Sequence, residues 1–568
     1  MQPSDLTDPQ YIHDIKDDII TSSVPIASTR EDCCELSIED NLLDEEEVLD
    51  VRALNKLYHT DEFDQGKELN LHSKKKSIRV DLTYARSAGP IVEMSVRKLN
   101  WKCYKAPLIS TNRLPCSIHW HGITHEEHII PKGCYVSKFC GLGELCYKKN
   151  LAQTLSRMKE LFPDEFSFHP NCWLLPEQYE EFYVHTQEHP KPNKFYIVKP
   201  HEGSQGEGIF IFSNPKDKVS LFANPSLVQE YISNPLLLEG TKFDIRLYVL
   251  LLSIDPLEVY VSRSGMVRFC TQDYHKPSIK NVHKSFMHLT NYSLNKRSDE
   301  YQYTDEPDTG SKRILTHVLE DMERLGYDTD LLWDKIDTVV VSTLQAMSPE
   351  IQTGVQAAIR RGELPSVDSC FQILGFDLLI DDKMNVFLLE VNSHPSLGID
   401  FDELVPDKPG VTKCIISQVD IDIKLPVVSC ALKLVRKRQK KGPGIPIETP
   451  YDSVYKRVSP DLMQEQLTLL EPIANMFRQF LKRDGVTIGS SAFRSFLRNY
   501  KLSPGLISTA EADLLFLKAT RSYVSYETNT INFQQFYFVF YSLAKSSYKR
   551  DSKLENISLL IEHCMGNK

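Results

Sequence analysis

Two carboxylates and an amide stand where a strand hairpin would bring them together. The segments Phe371 to Ile380 and Val386 to Val391 read as strands around the turn DDKMN, and a turn centred between Lys383 and Met384 sets Asp377 opposite Glu390. Residues two apart on a strand share a face, so Asn392 lies beside Glu390 if the strand runs that far. Such a patch suits a hard cation with oxygen ligands, such as Mg²⁺ held together with substrate phosphates. Strand-end acids facing solvent have the same spacing. A second signal is Lys199-Pro200, a strand end followed by His201-Glu202-Gly203-Ser204-Gln205-Gly206-Glu207-Gly208 and another strand. Its glycines let backbone N–H groups approach phosphate oxygens while the lysine supplies a compact positive charge; hairpin turns use the same residues. The loop joins two strands, whereas a Rossmann or P-loop turn opens a helix, so those two nucleotide folds are disfavoured. Asp244 and Arg246 share one strand face, as a structural ion pair would.

Periodicity names the elements that must position these groups. Ile78 to Leu82 alternates like a strand, Val92 to Leu99 fits a helix, and Asn150 to Phe162 puts Leu151, Leu155, Met158 and Leu161 on one helical face. From Phe195 strands follow, FYIVKP, GIFIF, SLVQEYI, DIRLYVLLLSI and EVYVSRSGMVRF, and they are expected to form one central sheet. A helical interval from about Lys312 to Arg361 precedes the carboxylate hairpin. After it come the cations Lys433, Arg436, Lys437, Arg438, Lys440 and Lys441, then GPGIP, then from about residue 460 an independent helical unit. Its halves, FRQFLKRDGVTIGSSAFRSFLRNY and LLFLKATRSYVSYETNTINFQQFYFVFY, look like a degenerate EF-hand pair. Calcium needs several carboxylates closed by a bidentate glutamate, and these loops offer only Asp484 and Glu527, so a calcium-independent interaction module is expected.

The chain has 568 residues, 41% hydrophobic and 25% charged, which is globular usage at a length for two to four domains. No window approaches a membrane span and the N-terminus lacks a secretory signal, so a soluble intracellular protein is expected. The 13 cysteines contain no CxxC pair, which excludes a zinc ribbon and gives no disulfide framework. Residues 1 to 50 carry 15 acids against Lys16 and Arg30, a net of −13, which leaves +2 for the rest of a chain whose total is −11. That stretch reads as a disordered acidic tail. His119, His121, His125 and His128 do not have HExxH spacing, and surface histidines at a strand end are expected there rather than zinc ligands.

A phosphate loop between strands followed by a carboxylate hairpin is similar to the ATP-grasp order. SKFCGLGELCYKKNLAQTLSRM, FYIVKPHEGSQGEGIFIF, LVQEYISNPLLLEGTKFDIRLYVLL, MHLTNYSLNK and CFQILGFDLLIDDKMNVFLLEVNSHPSLGID occur in order over residues 137 to 400. On these stretches the chain resembles the tubulin tyrosine ligase-like family, and GSQGEG is similar to the polyglutamylases that elongate chains on α-tubulin. The resemblance implies an α/β (α+β) fold, with an N-terminal α/β lobe over 73–194 and an ATP-grasp core over 195–425 after the disordered acidic tail, which is set at 1–72. A basic microtubule-binding segment and linker over 426–458 and an all-α EF-hand-like module over 459–568 would follow. For ATP it implies Lys148, Lys199, Gln205, Gly206, Gln229, Glu230, Tyr231, Ile232, Lys242, Phe243, Asp244, Thr290 and Asn291. Lys242, Asp244 and Arg246 would serve the reaction centre, Arg268, Ser293 and Lys312 the incoming free glutamate, Gln205 the acceptor protein, and Asp377, Glu390 and Asn392 the Mg²⁺. The usual CRKD is CYKK here, and the usual proline of KFPG is Cys140.

The implied reaction is ATP-dependent. The γ-carboxylate of an acceptor glutamate becomes an acyl phosphate, and the α-amine of free L-glutamate attacks it to give an isopeptide bond. The implied partners are tubulin and microtubules, met by the cationic run, with no nucleic acid and no membrane. A monomer is expected, its C-terminal module open to an unknown protein and its place the cytoplasm and cytoskeleton, with cilium axoneme or basal body implied. A polyglycylase and a catalytically silent microtubule-binding scaffold are the alternatives.

Overall fold

Val80 and Leu82 bury the first strand, β1 (Arg79–Tyr84), in a parallel sheet. The computed structural model describes residues 78–566 except 107–114, 124–128, 189–193, 201–205, 214–224, 405–411, 443, 451–452, 460–468 and 522–528. The acidic-tail expectation, Gln205 and Glu527 lie outside the described residues. α1 (Gly89–Lys98), with Pro90 in its first turn, buries Ile91, Val92 and Val96 and carries the chain to β2 (Lys102–Tyr104), which pairs in parallel with β1. On the other side of β1 lie β3 (Ile118–His121) and then β4 (Tyr135–Val136). Both faces of this parallel sheet are covered, so His119 and His121 are buried on β3, not on the surface as expected; Asp81 faces His119 Nδ1 at 3.4 Å. His125 and His128 lie outside the described residues. α2 (Leu142–Leu145) and α3 (Lys148–Leu161) complete the lobe, and α3 buries the expected Leu151, Leu155, Met158 and Leu161.

The strands expected to make one central sheet fall into two. β5 (Cys172–Leu175), α4 (Tyr179–Glu188), β6 (Tyr196–Pro200), β7 (Phe210–Phe212) and β8 (Ser226–Glu230) build an antiparallel sheet in the order β5-β8-β6-β7. After β8 the chain turns through Asn234-Pro235 into β9 (Leu237–Leu238), which pairs with β10 (Thr241–Ile254) in a second sheet. β11 (Leu257–Asp273) lies on one edge of β10. Strand periodicity identifies these segments but carries no record of which ladder each joins.

α5 (Ser285–His288) and α6 (Tyr292–Asn295) lead to β12 (Lys312–Ile314), a strand where a helix start was expected because its backbone pairs with Met266 to Arg268 of β11. α7 (Leu315–Arg324) and α8 (Thr329–Arg360) follow; Asp328 caps α8 by accepting from the Leu331 N–H. Every residue of β13 (Gln372–Ile380) is buried between β10 and β14 (Val386–Asn392), giving the order β12-β11-β10-β13-β14. The hairpin register sets Asp377 opposite Glu390, as the turn predicts, with an irregularity beyond Asp377 toward the turn.

β15 (Asp400–Leu404) and β16 (Thr412–Ile416) form a ribbon before α9 (Gln418–Lys441), one continuous helix that runs through residue 425 and carries the cationic run. β17 (Tyr455–Val458) adds to β11. α10 (Leu470–Arg478), β18 (Ile488–Gly489), α11 (Ser490–Asn499), α12 (Thr509–Arg521), β19 (Thr530–Ile531), α13 (Phe533–Tyr548) and α14 (Lys553–Gly566) make the C-terminal module. Its two loops pair through Ile488 and Ile531 in the EF-hand manner. The module is not independent: Phe477, Phe493 and Phe536 continue the hydrophobic cluster that contains Ile351 and Val355 of α8. Arg478 also donates to the Pro349 carbonyl at 3.1 Å and to Gln352 at 2.7 Å. No described helix is long and apolar enough to cross a membrane.

Candidate active site

The two antiparallel sheets face each other across a cavity of about 210 Å³. One side supplies Ile197 and Lys199 from β6 and Gln229 to Ile232 from the end of β8; the other supplies Lys242 and Asp244 from β10, Asp377 and Leu379 from β13, and Leu389, Glu390 and Asn392 from β14. Leu289, Thr290 and Asn291, between α5 and α6, close one wall, and Lys148 enters from the start of α3. Ile197, Ile209, Leu289, Leu379 and Leu389 give the cavity apolar walls suited to a flat heterocycle, while lysines crowd its polar end. Gly206 has φ +87°, and a Cβ there would meet the Asn291 side chain at 3.2 Å. The glycine therefore allows the loop to lie close against Asn291.

The cavity lysines Lys199 and Lys242 are held by neutral oxygens. Lys199 Nζ donates to Gln229 Oε1 at 2.9 Å, and burial lowers its pKa while Glu390 opposes the shift. Lys242 Nζ donates to Tyr231 Oη at 3.0 Å and to the His288 carbonyl at 2.8 Å; burial brings it down to about 8. These ammonium groups lack carboxylate partners among the described residues, an arrangement that a polyphosphate would complete. The Glu230 side chain is committed to Lys194 at 2.5 Å and His185 at 3.1 Å.

Charged residues of opposite sign face each other across three strands, β11, β10 and β13. Arg246 grips Asp377 with both Nε and Nη2, the latter at 2.9 Å, and Arg268 reaches Asp377 at 2.8 Å. Arg268 also makes a bidentate pair with Asp244 at 2.7 and 2.6 Å, and Thr290 Oγ1 donates to Asp244 at 2.7 Å. Asp244 and Arg246 thus do not pair with each other as their shared face suggested. Each finds its ion partner directly opposite, because cross-strand neighbours stand closer than residues two apart on one strand. Gly375 makes room for Arg246, since a Cβ there would meet its Cδ at 3.2 Å.

Burial would raise Asp377, but Arg246 and Arg268 hold its carboxyl well below the usual range. Burial pushes Glu390 up, and the neighbouring Asp377 charge adds to the rise. Asn392 Nδ2 donates to Glu390 Oε1 at 3.2 Å, placing the expected trio together. Among the described residues no three acids, histidines or cysteines converge as a metal cluster. The candidate set is two carboxylates and an amide. Its fit to Mg²⁺ rests on Glu390: a carboxylate destabilised by a neighbouring carboxylate is a site where a dication relieves repulsion.

Several expected residues stand elsewhere. Phe243, one position from Lys242, turns to the opposite face and packs on Phe269 with ring centroids 5.5 Å apart. Lys312 lies opposite Arg268 in register but outside the cavity lining, 2.5 Å from Asp420, which also takes Lys424 at 2.8 Å. Ser293 sits on α6 outside the lining. The three expected glutamate contacts therefore do not form one cluster. Sequence reasoning missed His288, whose Nδ1 lies 3.1 Å from Tyr231 Oη, and Asp420, which carried no motif signal.

Residues 130–425 match the tubulin-tyrosine ligase family, and residues 456–567 match the family described as "Tubulin polyglutamylase TTLL11, EF-hand". The chain is 35% identical to the tubulin polyglutamylase TTLL11 of Homo sapiens over 535 residues, covering 87% of this chain and 74% of the relative. It is 34% identical to the tubulin polyglutamylase ttll-11 of Caenorhabditis elegans over 456 residues, 74% of this chain and 63% of the relative. Over 265 residues it is 40% identical to the tubulin polyglutamylase TTLL6 of Mus musculus, 47% of this chain and 31% of that protein.

Proposed function

Because the chain belongs to the tubulin-tyrosine ligase family, we propose that it is an ATP-dependent ligase that joins free L-glutamate to glutamate side chains of tubulin tails, elongating chains with α-tubulin preferred. The observation that carries this reading is one cavity with apolar walls, with Lys199 and Lys242 lacking acid partners among the described residues, and with a carboxylate pair at its polar end. That inventory meets a heterocycle, a polyphosphate and its metal in order.

Lys148, Lys199 and Lys242 offset negative charge along the phosphates, and the main chain at Glu230 to Ile232 borders the heterocycle. Asp377, Glu390 and Asn392 would hold Mg²⁺, which when bound supplies charge stabilisation on the phosphoryl group. Arg246 and Arg268 keep Asp377 ionised. The acceptor γ-carboxylate takes the terminal phosphoryl group as ADP departs; the glutamate α-amine then attacks the acyl carbon, losing a proton as phosphate leaves. Binding both partners beside each other replaces a bimolecular encounter. Arg268 lines the cavity and is the cation assigned to a glutamate carboxylate, although Asp244 and Asp377 already hold its Nε and Nη2; Lys312 reaches substrate only by leaving Asp420. In this reading the protein acts as a monomer at microtubules, including those of cilia.

The assembled cavity weighs against the silent-scaffold reading, and glycine ligation remains the rival chemistry. The test is incorporation of labelled glutamate into tubulin, which should require ATP and disappear in Lys199→Met.

A further inference from the structure

Five lysines are buried among the described residues: Lys138, Lys149, Lys242, Lys312 and Lys424. Three face carboxylates, Lys149 at 3.6 Å from Glu177 and the other two on Asp420. Lys242 belongs to the nucleotide cavity. Lys138 has neither setting. It is only 6% exposed, and its ammonium donates at 3.3 Å to the Ser393 carbonyl, with no carboxylate in ion-pair reach among the described residues. A buried ammonium satisfied by one carbonyl is costly unless an anion completes it.

The group stands at the wall of a second, open cavity of about 600 Å³. Ser393 lines this cavity and Asn392 lines the first, so the two meet at consecutive residues beside the expected metal ligands. The junction is braced: Gln372 Nε2 donates to the Ser393 carbonyl at 2.5 Å, and Gln372 Oε1 accepts from the Phe139 N–H at 2.8 Å. Farther out the wall carries Ile129 and Tyr147, 74% and 65% exposed, large apolar surfaces of the same cavity. Arg361 there is already held by Glu363 at 2.5 and 2.9 Å, and Glu144 is exposed, so among the described residues of this wall Lys138 is the cation without a carboxylate partner.

We propose that Lys138 binds a side-chain carboxylate of the acceptor's acidic tail, next to the glutamate being modified, and that Ile129 and Tyr147 support the tail across the open cavity. The inference rests on the ligase reading and adds an acceptor subsite to it. A carboxylate of free glutamate has the same chemistry, so the experiment separates the two sources.

The full chain is titrated, without nucleotide, into a fluorescent glutamate-rich peptide and into its glutamine-substituted counterpart, and ligation is assayed in parallel. Lys138→Met should weaken binding of the acidic peptide at least tenfold, as loss of one charge-assisted hydrogen bond does. Lys138→Arg should restore most of it. The glutamine peptide should bind weakly and equally to native protein and Lys138→Met. In ligation the acceptor KM should rise with the KM values for ATP and glutamate within twofold. Ile129→Glu, on an exposed position that does not threaten folding, should also weaken the acidic peptide severalfold at unchanged Tm. Undiminished peptide binding in both variants, or a rise confined to the glutamate KM, overturns the proposal. Lys138-dependent peptide binding by a native protein that ligates nothing would sustain the subsite and remove the ligase reading.

Discussion

Glu390 is the residue on which the metal assignment turns. Glu390→Gln keeps the volume and the bond from Asn392 but removes one of two anionic ligands, and ligation should fall to background in a variant with native Tm. Asp377→Asn should lose activity alike and stability as well, because it strips Arg246 and Arg268 of a shared partner; breaking such a buried pair typically costs about 3 to 5 kcal/mol. Steady-state rates with thermal melts check both. Lys242 sets a pH limit: burial brings it down to about 8, so it is charged below that pH and neutral above it. kcat/KM for ATP, which reports the free enzyme, should therefore decline as pH rises through about 8, and the decline should be absent in Lys242→Arg. A profile flat to pH 9.5 in the native protein would contradict phosphate binding by Lys242. At this scale the hairpin arithmetic made the Asp377–Glu390 pair legible, since turn length and strand pairing are local. The exchange of partners among Asp244, Arg246, Arg268 and Asp377 was not, because it depends on which strands lie side by side.

The cationic run divides when its helix is seen. Lys433, Lys437, Lys440 and Lys441 are exposed on α9, whereas Arg438 is buried and paired with Glu258. Glu258 also accepts from Tyr260 Oη at 2.6 Å and from the Ile447 N–H at 3.3 Å. Replacing the four exposed lysines by glutamate should leave Tm nearly unchanged and abolish microtubule cosedimentation, which in the native protein should fall steeply with salt because surface attraction is screened over about 8 Å. Arg438→Ala should do the reverse, lowering Tm through the stranded Glu258 while sparing cosedimentation of the folded fraction. If charge reversal leaves binding intact, the exposed lysines are only a solvated face. Amphipathic spacing found α3 and the EF-hand-like helices, whose apolar faces are set by one element at a time. It missed the split into two sheets and the strand at Lys312–Ile314, both decided by distant backbone partners.

Across the whole molecule, the C-terminal module shares a hydrophobic cluster with α8 and touches α3, whose first residue, Lys148, enters the nucleotide cavity. Arg157 of α3 donates to the Gln534 carbonyl and side chain at 2.8 Å, and Gln534 donates to Glu350 of α8 at 2.9 Å. The composition of residues 460–545 disclosed the helix pairs but not this docking, because an aromatic face reads the same whether it closes its own core or a neighbour's. What joins cavity, cations and module into one account is the chemistry proposed for them. The most direct measurement is tandem mass spectrometry of tubulin tails after incubation with the purified full chain, ATP and Mg²⁺, with isotope-labelled glutamate or labelled glycine in separate reactions. The account predicts labelled glutamate joined through the side-chain carboxyl of tail glutamates, dependent on ATP, and no glycine; glycine additions, or no addition by a folded protein that binds ATP, would contradict it.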